Sequence, residues 1–283
     1  MANIGTKIQG IRGSASIIGG ATGIVTQASG VDPAAAAYFT AAGITDATEQ
    51  AAVIQLVADL KGTGSTTNNN NIWTKMNTIY PVSPTSLAAA AFNLKDASTF
   101  EITWFNSPTH ASTGVTGNGT NMYGDTGYDF AAEGMSENSF GVTYSGVYAT
   151  NDYPMGALSG AGNTYWGIRT AGSGRVFYAG ESGNSTSNAS TARAVFTGSR
   201  LAADDKTGYL DGTAGTPNTT SDAKTFPNIT CYVLAQNNNG TAGSYFAGEI
   251  DFWAIHQGLT AGEAKDLSDA IDTYNANVIL GGR

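Results

Sequence analysis

Eight short runs rich in β-branched and aromatic residues lie between residues 99 and 255, and Gly, Asn, Ser or Asp separates them. The runs are TFEITWFN, SFGVTYSGVYAT, TYWGIRT, GRVFYAGE, RAVFTG, KTGYLDG, ITCYVLAQ and YFAGEIDFWAI. Short strands at this spacing, with turn residues between them, are typical of antiparallel sandwiches. The sequence therefore predicts a mainly β protein, an antiparallel two-sheet sandwich, with strands up to residue 258.

Helical signals precede the strand region. Asp32 is suited to the N-cap of a first helix and Pro33 to its first turn, and Gly43 suits the left-handed position after the helix. Asp46 and Glu49 predict a capping box for a second helix. The apolar positions on the predicted helix faces are Val53, Leu56, Val57 and Leu60, followed by Ile72, Met76, Ile79 and Tyr80, with Pro81 as the end. We expect a small helical lead over residues 32–84.

A last helix is predicted near residues 260–277. Thr260 and Glu263 form a second capping box. The apolar stripe of this helix is Ala264, Leu267, Ile271 and Tyr274. The helix should close the sandwich domain, which we place at residues 85–283.

The first 31 residues alternate apolar side chains with Gly and Ser, and are too poor in large side chains to fold alone. They predict either a flexible attachment arm that orders against a partner or a disordered tail. The apolar residues of the predicted arm are Ile4, Ile8, Ile11, Ile17, Ile18, Ile24 and Val25. Since Gly interrupts each apolar stretch, we expect no signal peptide here.

Charge and cysteine content narrow the function classes. The net charge is −9 with 13 Lys plus Arg and no basic run, which argues against a nucleic-acid partner. No apolar run reaches the length of a membrane span, so we expect no membrane insertion. Cys231 is the lone cysteine and lies in an apolar run, which predicts a buried, inert thiol and excludes an internal disulfide.

Three stretches at the end of the chain resemble laminin-G-like, concanavalin-A-like domains. They are GYLDGTAG at 208–215, ITCYVLAQNNNG at 229–240 and FAGEIDFWAIHQGLTAGEAKDLSDAI at 246–271. The first two resemble strands that end in polar turns. The third resembles the closing strand and short helix of such domains. This resemblance implies that the sandwich is a two-sheet jelly roll.

Four further blocks resemble, in order, the start of tailed-bacteriophage structural proteins that join a helical lead to a laminin-G-like sandwich. They are DPAAAAYFTAAGITDATEQAAVIQLVADLK, IWTKMNTIYPV, FNLKD and THASTGVTGNGTNMYGDTG. The insertion GTGSTTNNNN at 62–71 departs from the family's pattern and leaves the local loop geometry open. The resemblance implies a virion structural protein, of the tail-fibre or surface type, whose partners are other virion proteins and copies of itself.

Glu249 and Asp251 are two residues apart on a predicted strand, so both carboxylates are expected on one face. Sugar-cleaving enzymes of the concanavalin-like fold carry a third carboxylate on this strand, and retaining chemistry needs the outer pair. Here Trp253 or Ala254 stands at that position. We therefore expect no enzyme activity, with Asp251 bonded to nearby backbone or a turn and Glu249 solvated.

The histidines and the turn aspartates give little evidence of a metal or cofactor site. Neither His110 nor His256 has metal-ligand spacing to Cys or acidic residues, and His256 is expected at a strand end on the surface. No cofactor is predicted. The Asp residues in LDGTAG and GDTGYD leave a Ca²⁺ site open, although Asp is common in turns because it caps its own backbone.

Three functional hypotheses follow. The first is a phage particle component at the virion surface, anchored by its N-terminal part. The second is a lectin-like binder of host glycans, either in a particle or secreted, in which Tyr123, Tyr165 and Trp166 stack on sugar faces. The third, a glycanase, is disfavoured by the missing carboxylate.

Overall fold

The computed structural model describes residues 30–278, except 148, 150–151, 160–163, 172–173, 181–183 and 188–191. The predicted arm and its apolar residues lie outside the described part of the chain. Within that part, three α-helices and seventeen strands form a mainly β protein. The helices are α1 (Pro33–Ala42), α2 (Ala47–Leu60) and α3 (Ala261–Val278).

Eight of the described strands form one sheet in the order β13-β12-β11-β6-β17-β4-β3, and β1 also pairs with β17. These strands are β1 (Met76–Pro81), β3 (Thr109–Ala111), β4 (Gly114–Thr116), β6 (Phe140–Gly146), β11 (Ala194–Ala202), β12 (Asp205–Leu210), β13 (Thr213–Ala214) and β17 (Glu249–His256). Their mutual pairings are antiparallel.

The other nine described strands form a second sheet in the order β10-β9-β8-β7-β14-β5-β2, with a β15–β16 hairpin beside β7. They are β2 (Thr103–Phe105), β5 (Tyr123–Asp129), β7 (Met155–Leu158), β8 (Tyr165–Ala171), β9 (Gly174–Gly180), β10 (Asn184–Ser187), β14 (Thr230–Val233), β15 (Gln236–Asn238) and β16 (Thr241–Gly243). The pairing of β15 with β7 is parallel. Each of the eight predicted runs contains a strand, which confirms the two-sheet, mainly β expectation.

The main core lies between the two sheets. Trp253 and Ile255 of the eight-stranded sheet join Trp166 and Phe177 of the nine-stranded sheet in one buried apolar cluster. The other face of β17 presents Phe252 and Ala254 to a second cluster, which contains the apolar faces of all three helices. Strand β17 is therefore buried on both faces, as its nearly unbroken apolar sequence requires. The helices cover the outer face of the eight-stranded sheet.

The closing helix α3 forms as predicted. The Thr260 amide donates to Glu263 Oε2 at 2.8 Å, and Leu267 and Ile271 are fully buried against the second cluster. Burial of two such side chains contributes about 3–6 kcal/mol to folding. Both predictions for α3, its cap and its packing face, are confirmed.

The first two helices also form where they are predicted. Asp32 caps α1, and Gly43 ends it with a φ of 66°. Asp46 caps α2 by accepting from two backbone amides, but Glu49 does not complete the capping box. Its carboxylate is buried and instead accepts from the Ser83 and Thr85 hydroxyls. Glu49 therefore bonds to residues distant in the sequence instead of to the start of its own helix.

The predicted helix over 72–80 is wrong. Residues Trp73–Lys75 form a single 3-10 turn, and Met76–Pro81 is strand β1, paired with the central strand β17. The apolar residues Ile79 and Tyr80 serve opposite faces, with Ile79 under the helices and Tyr80 between the sheets. Apolar residues on both faces of a buried strand imitate helical spacing over so short a run. The predicted boundaries at residues 31 and 84 stay predictions.

The asparagine-rich insertion is held by α3. Asp266, which is buried, accepts from the backbone and side-chain amides of both Asn68 and Asn70, at 2.7–3.2 Å. Asp269 accepts from the backbone amide and the hydroxyl of Thr67. The insertion therefore connects the end of α2 to α3.

Candidate functional site

Four aromatic side chains cluster on the outer face of the nine-stranded sheet. We call Phe105, Tyr123, Tyr232 and Tyr245 the Tyr123 patch. The rings of Phe105 and Tyr123 are stacked, with centroids 4.5 Å apart and an interplanar angle of 5°. Tyr123 lies 4.9 Å from Tyr232 and 6.2 Å from Tyr245. Phe105 is 38% exposed, and Tyr123 and Tyr245 are half-buried, so part of the patch faces solvent.

Strand alternation places these rings. In β2, Trp104 points inward, where its ring lies edge-on to Trp253, and this turns Phe105 outward. In β5, Gly124 is the inward residue and Tyr123 the outward one. A Cβ on Gly124 would lie 2.7 Å from both Ile102 and Trp104 atoms, so a side chain does not fit there. The pairing of Phe105 with Tyr123 in the β2–β5 register brings the two rings together.

A carboxylate adjoins the aromatic rings. Asp125 is on the same face of β5 as Tyr123, and in the register it lies opposite Tyr232 on one side and Thr103 on the other. Its Oδ1 accepts from the Gly127 amide at 2.9 Å, at a bulge where Gly127 has a φ of 67°. The site thus combines apolar ring faces with a hydroxyl-accepting group, the usual composition of a sugar site.

The hydroxyls of Tyr123 and Tyr232 remain protonated near neutral pH. Burial and the nearby negative charge of Asp125 raise the pKa of Tyr232 to about 12. Burial, with Tyr245 and Asp125, also raises the pKa of Tyr123. Both phenols therefore remain neutral hydrogen-bond donors at neutral pH.

The predicted stacking residues Tyr165 and Trp166 are not accessible. Trp166 is fully buried between the sheets, 4.3 Å from the Phe226 ring. Tyr165 lies on the outer face but is buried there, packed against Tyr153 and Tyr178, and its hydroxyl lies 2.6 Å from the Met155 carbonyl and 3.0 Å from the Ile168 carbonyl. Of the three predicted aromatic residues, the structure places Tyr123 alone in the exposed patch.

Sequence reasoning missed the other three members of the patch. Phe105 and Tyr232 occur in runs that were correctly predicted as strands, and alternation in TWF and TCYV marks them as outward. The sequence alone does not show that β5 pairs with β14, whose partner residues lie more than 100 positions away, and with β2, whose partner residues lie 18–22 positions away.

The acid pair of β17 is part of an ion-pair cluster. Arg193 donates from Nη1 to Asp251 Oδ2 and from Nη2 to Glu249 Oε1. Asp251 also accepts from Asn275 of α3 at 2.8 Å, and Glu249 from the Thr113 hydroxyl at 2.9 Å. The two carboxylates do share one surface, as predicted.

The expected surroundings of these two carboxylates are wrong in detail. Asp251 is fully buried and bonds side chains rather than backbone. The Glu249 side chain is 20% exposed and paired rather than solvated. Charges this close to the core need such partners, because burying an unpaired carboxylate costs several kcal/mol. Arg193, Asn275 and Thr113 together engage all four oxygens of the two acids.

His256 is also misplaced by the sequence prediction. It is fully buried on β17, with Nε2 2.9 Å from Thr143 Oγ1 and Nδ1 2.7 Å from the Gln257 carbonyl. Burial lowers its pKa to about 4. Cys231, by contrast, is buried as expected, and burial raises its thiol pKa far above the usual range.

Metal-ligand chemistry gains no support in the described residues. They contain no group of three or more His, Cys, Asp or Glu side chains that could hold an ion. In the two turns where the sequence leaves a Ca²⁺ site open, Asp125 accepts from the Gly127 amide and Asp211 accepts from the Val195 amide. None of the described helices combines the length and apolar character needed to cross a membrane.

Comparison with solved structures shows a likeness of fold. A mutant of Trypanosoma rangeli sialidase displaying trans-sialidase activity matches with a TM-score of 0.53 and 15% identity, over 79% of this chain and 38% of that chain. The same sialidase in complex with 2,3-difluorosialic acid matches with a TM-score of 0.51 and 14% identity, over 69% and 32% of the two chains. This chain thus spans well under half the length of those sialidases.

A further match is domain 4 of a GH43 extracellular arabinanase from Geobacillus stearothermophilus in complex with arabinotriose, with a TM-score of 0.48 and 15% identity, over 69% of this chain and 98% of that domain. No protein-family model matches the chain, and no curated protein sequence matches it either.

Proposed function

We propose that this chain is a non-catalytic glycan-binding protein of a tailed-bacteriophage particle, built on a laminin-G-like jelly roll. The observation that carries the binding proposal is the Tyr123 patch, where stacked rings are partly exposed beside a carboxylate. Sugar rings have apolar faces that stack on aromatic side chains, and hydroxyl groups that need polar partners.

We favour glycan binding without glycan cleavage. The Glu249–Asp251 pair, which resembles part of a glycanase acid motif, lies on the eight-stranded sheet and is engaged by Arg193. The residues at the position of the third carboxylate are Trp253, buried between the sheets, and Ala254, buried under the helices.

The particle component of the proposal rests on the four ordered blocks of phage-like sequence. In this proposal the N-terminal part attaches the protein to the particle, and the Tyr123 patch is displayed outward to host glycans. A secreted lectin-like protein is the alternative, and it would use the same patch. Locating the chain in an electron-microscopy map of purified particles separates the two.

The binding proposal is tested by calorimetry and a glycan array with Tyr123→Ala and Phe105→Ala. Leu201→Ala is the matched control, because Leu201 is 39% exposed and lies on the other sheet. We expect glycan binding by the wild type, its loss in both patch variants, and full binding by the control. Wild-type affinity in the two patch variants contradicts the site.

The same preparations should be incubated with a β-glucan and a sialoside to test for cleavage. We expect no hydrolysis products. Hydrolysis by the wild type that disappears in Glu249→Gln would show that the acid pair is catalytic, and would replace the binding proposal with an enzymatic one.

A further inference from the structure

Asp125 is held in a fixed position beside the rings of the Tyr123 patch. Its backbone lies directly opposite Tyr232 in the β5–β14 register and opposite Thr103 in the β2–β5 register. Tyr123 is two residues away on the same strand and the same face. A sugar bound at the Tyr123 patch therefore lies next to this carboxylate.

The local backbone orients the carboxylate. The bulge after Asp125 turns the Gly127 amide toward Oδ1, at 2.9 Å, and Gly127 can adopt the required φ of 67° because it has no side chain. In the described part of the chain, Oδ2 accepts no hydrogen bond. One oxygen is thus committed to the fold, and the other can accept hydrogen bonds from a ligand.

The three strands that carry most of the patch have charges of one sign. Strands β2, β5 and β14 contain two aspartates, Asp125 and Asp129, and no Lys or Arg. The whole chain carries a net charge of −9. Burial is the largest cause that raises the pKa values of Tyr123 and Tyr232, and the negative charge of Asp125 adds to both.

We infer that the Tyr123 patch selects neutral glycans with free hydroxyl groups and rejects glycans that carry a carboxylate, and that Asp125 is the residue that determines this selection. The inference rests on the proposed glycan-binding function. An ionised carboxylate is an acceptor without a proton to donate, so it binds sugar hydroxyls through charge-assisted hydrogen bonds. A sialic or uronic acid group would bring a second negative charge to the same place, and strands β2, β5 and β14 hold no cation to compensate for it.

The selection can be measured with two matched pairs of probes, lactose against 3′-sialyllactose and cellohexaose against its uronic-acid derivative. For any pair that binds, the wild type should bind the neutral member at least about fivefold more tightly than the acidic one. This factor corresponds to the energy of about one charge pair at a protein surface. The preference should shrink as salt is raised, because exposed charges are screened.

Asp125→Asn keeps the shape of the side chain and removes its charge. It should weaken binding of the neutral probe and bring the two members of a pair to nearly equal affinity. Asp204→Asn, on an exposed turn of the other sheet, changes the net charge equally and should leave the preference intact. Thermal unfolding of each variant checks that the fold is kept.

The failures of the inference and of the proposed function are distinguishable. Equal or tighter binding of the acidic probes by the wild type overturns the inference while leaving glycan binding in place. An unchanged preference in Asp125→Asn overturns the role of Asp125. No binding to any member of the two pairs or of a wider glycan array overturns the proposed function, and the inference with it.

Discussion

Lowering the pH should destabilise the protein through His256. Burial is the largest cause that lowers its pKa from 6.5 to about 4, and Lys75 adds to this, while the Gln257 carbonyl and Glu263 oppose it. The unfolded chain then binds a proton at a pH where the folded chain does not. The stability is fully present above pH 6.5 and is lost as the pH falls toward 4.

The magnitude follows from the difference between the two pKa values. Each unit of pKa corresponds to about 1.4 kcal/mol, so the loss between neutral pH and pH 4 is about 3 kcal/mol. That loss is a large part of the free energy of unfolding of a typical folded domain, about 5–15 kcal/mol. The Thr143 hydroxyl, 2.9 Å from Nε2, would also lose its acceptor when the ring is protonated.

Urea unfolding of the wild type and of His256→Gln between pH 7 and pH 4 measures this effect. The pKa values of Asp96, Glu263 and Asp269 are lowered, and those of Asp59 and Asp152 are raised, so carboxylates also titrate near the acid end. The wild type and the His256→Gln variant share these groups, so the difference between their profiles of stability against pH isolates the contribution of His256. We expect a shallower loss of stability in the variant. Parallel profiles from pH 6.5 to pH 4 would refute the reasoning.

Three other predictions concern packing and assembly. Arg193→Met should lower the free energy of unfolding in urea by about 3–5 kcal/mol, because it leaves the Asp251 carboxylate buried and without its cation. A second change, Asp251→Asn, should recover part of the loss. A cost below about 1 kcal/mol would show that the ion pair is dispensable. Leu267→Ala should cost about 2–5 kcal/mol, since it opens a cavity under α3, and unchanged stability would contradict the packing of that helix. If the protein is part of a phage particle, as proposed, deletion of residues 2–30 should leave the sandwich folded but unable to join the particle, and normal incorporation would shift the anchor to the helical lead.

The elements that sequence predicts well are those with local signals. Caps at Asp32, Asp46 and Thr260 mark the helix starts, and alternation of aromatic and small residues marks the strands. Strand β1 was missed because its partner, β17, is about 170 residues away. Tertiary pairing overrides local periodicity in such a short apolar run.

The same limit applies to the candidate site. The spacing of Glu249 and Asp251 predicts that they share a face, but it cannot predict Arg193, which reaches them from 56 and 58 residues away. Tyr123 and Tyr165 both lie on the outer face of the nine-stranded sheet. Sequence cannot tell that Tyr165 is covered, since its burial depends on Tyr153 and Tyr178 of neighbouring segments.

The location of a bound sugar tests the central claim most directly. Amide chemical shifts of the isotope-labelled protein, recorded during titration with a glycan that the array identifies, report which surface the ligand contacts. We predict that the largest shifts occur at residues 103–105, 123–127, 232 and 245, with small changes around Arg193 and in the three helices. Shifts centred on Glu249 and Asp251, or on the helical face, with none at Tyr123, would contradict the account.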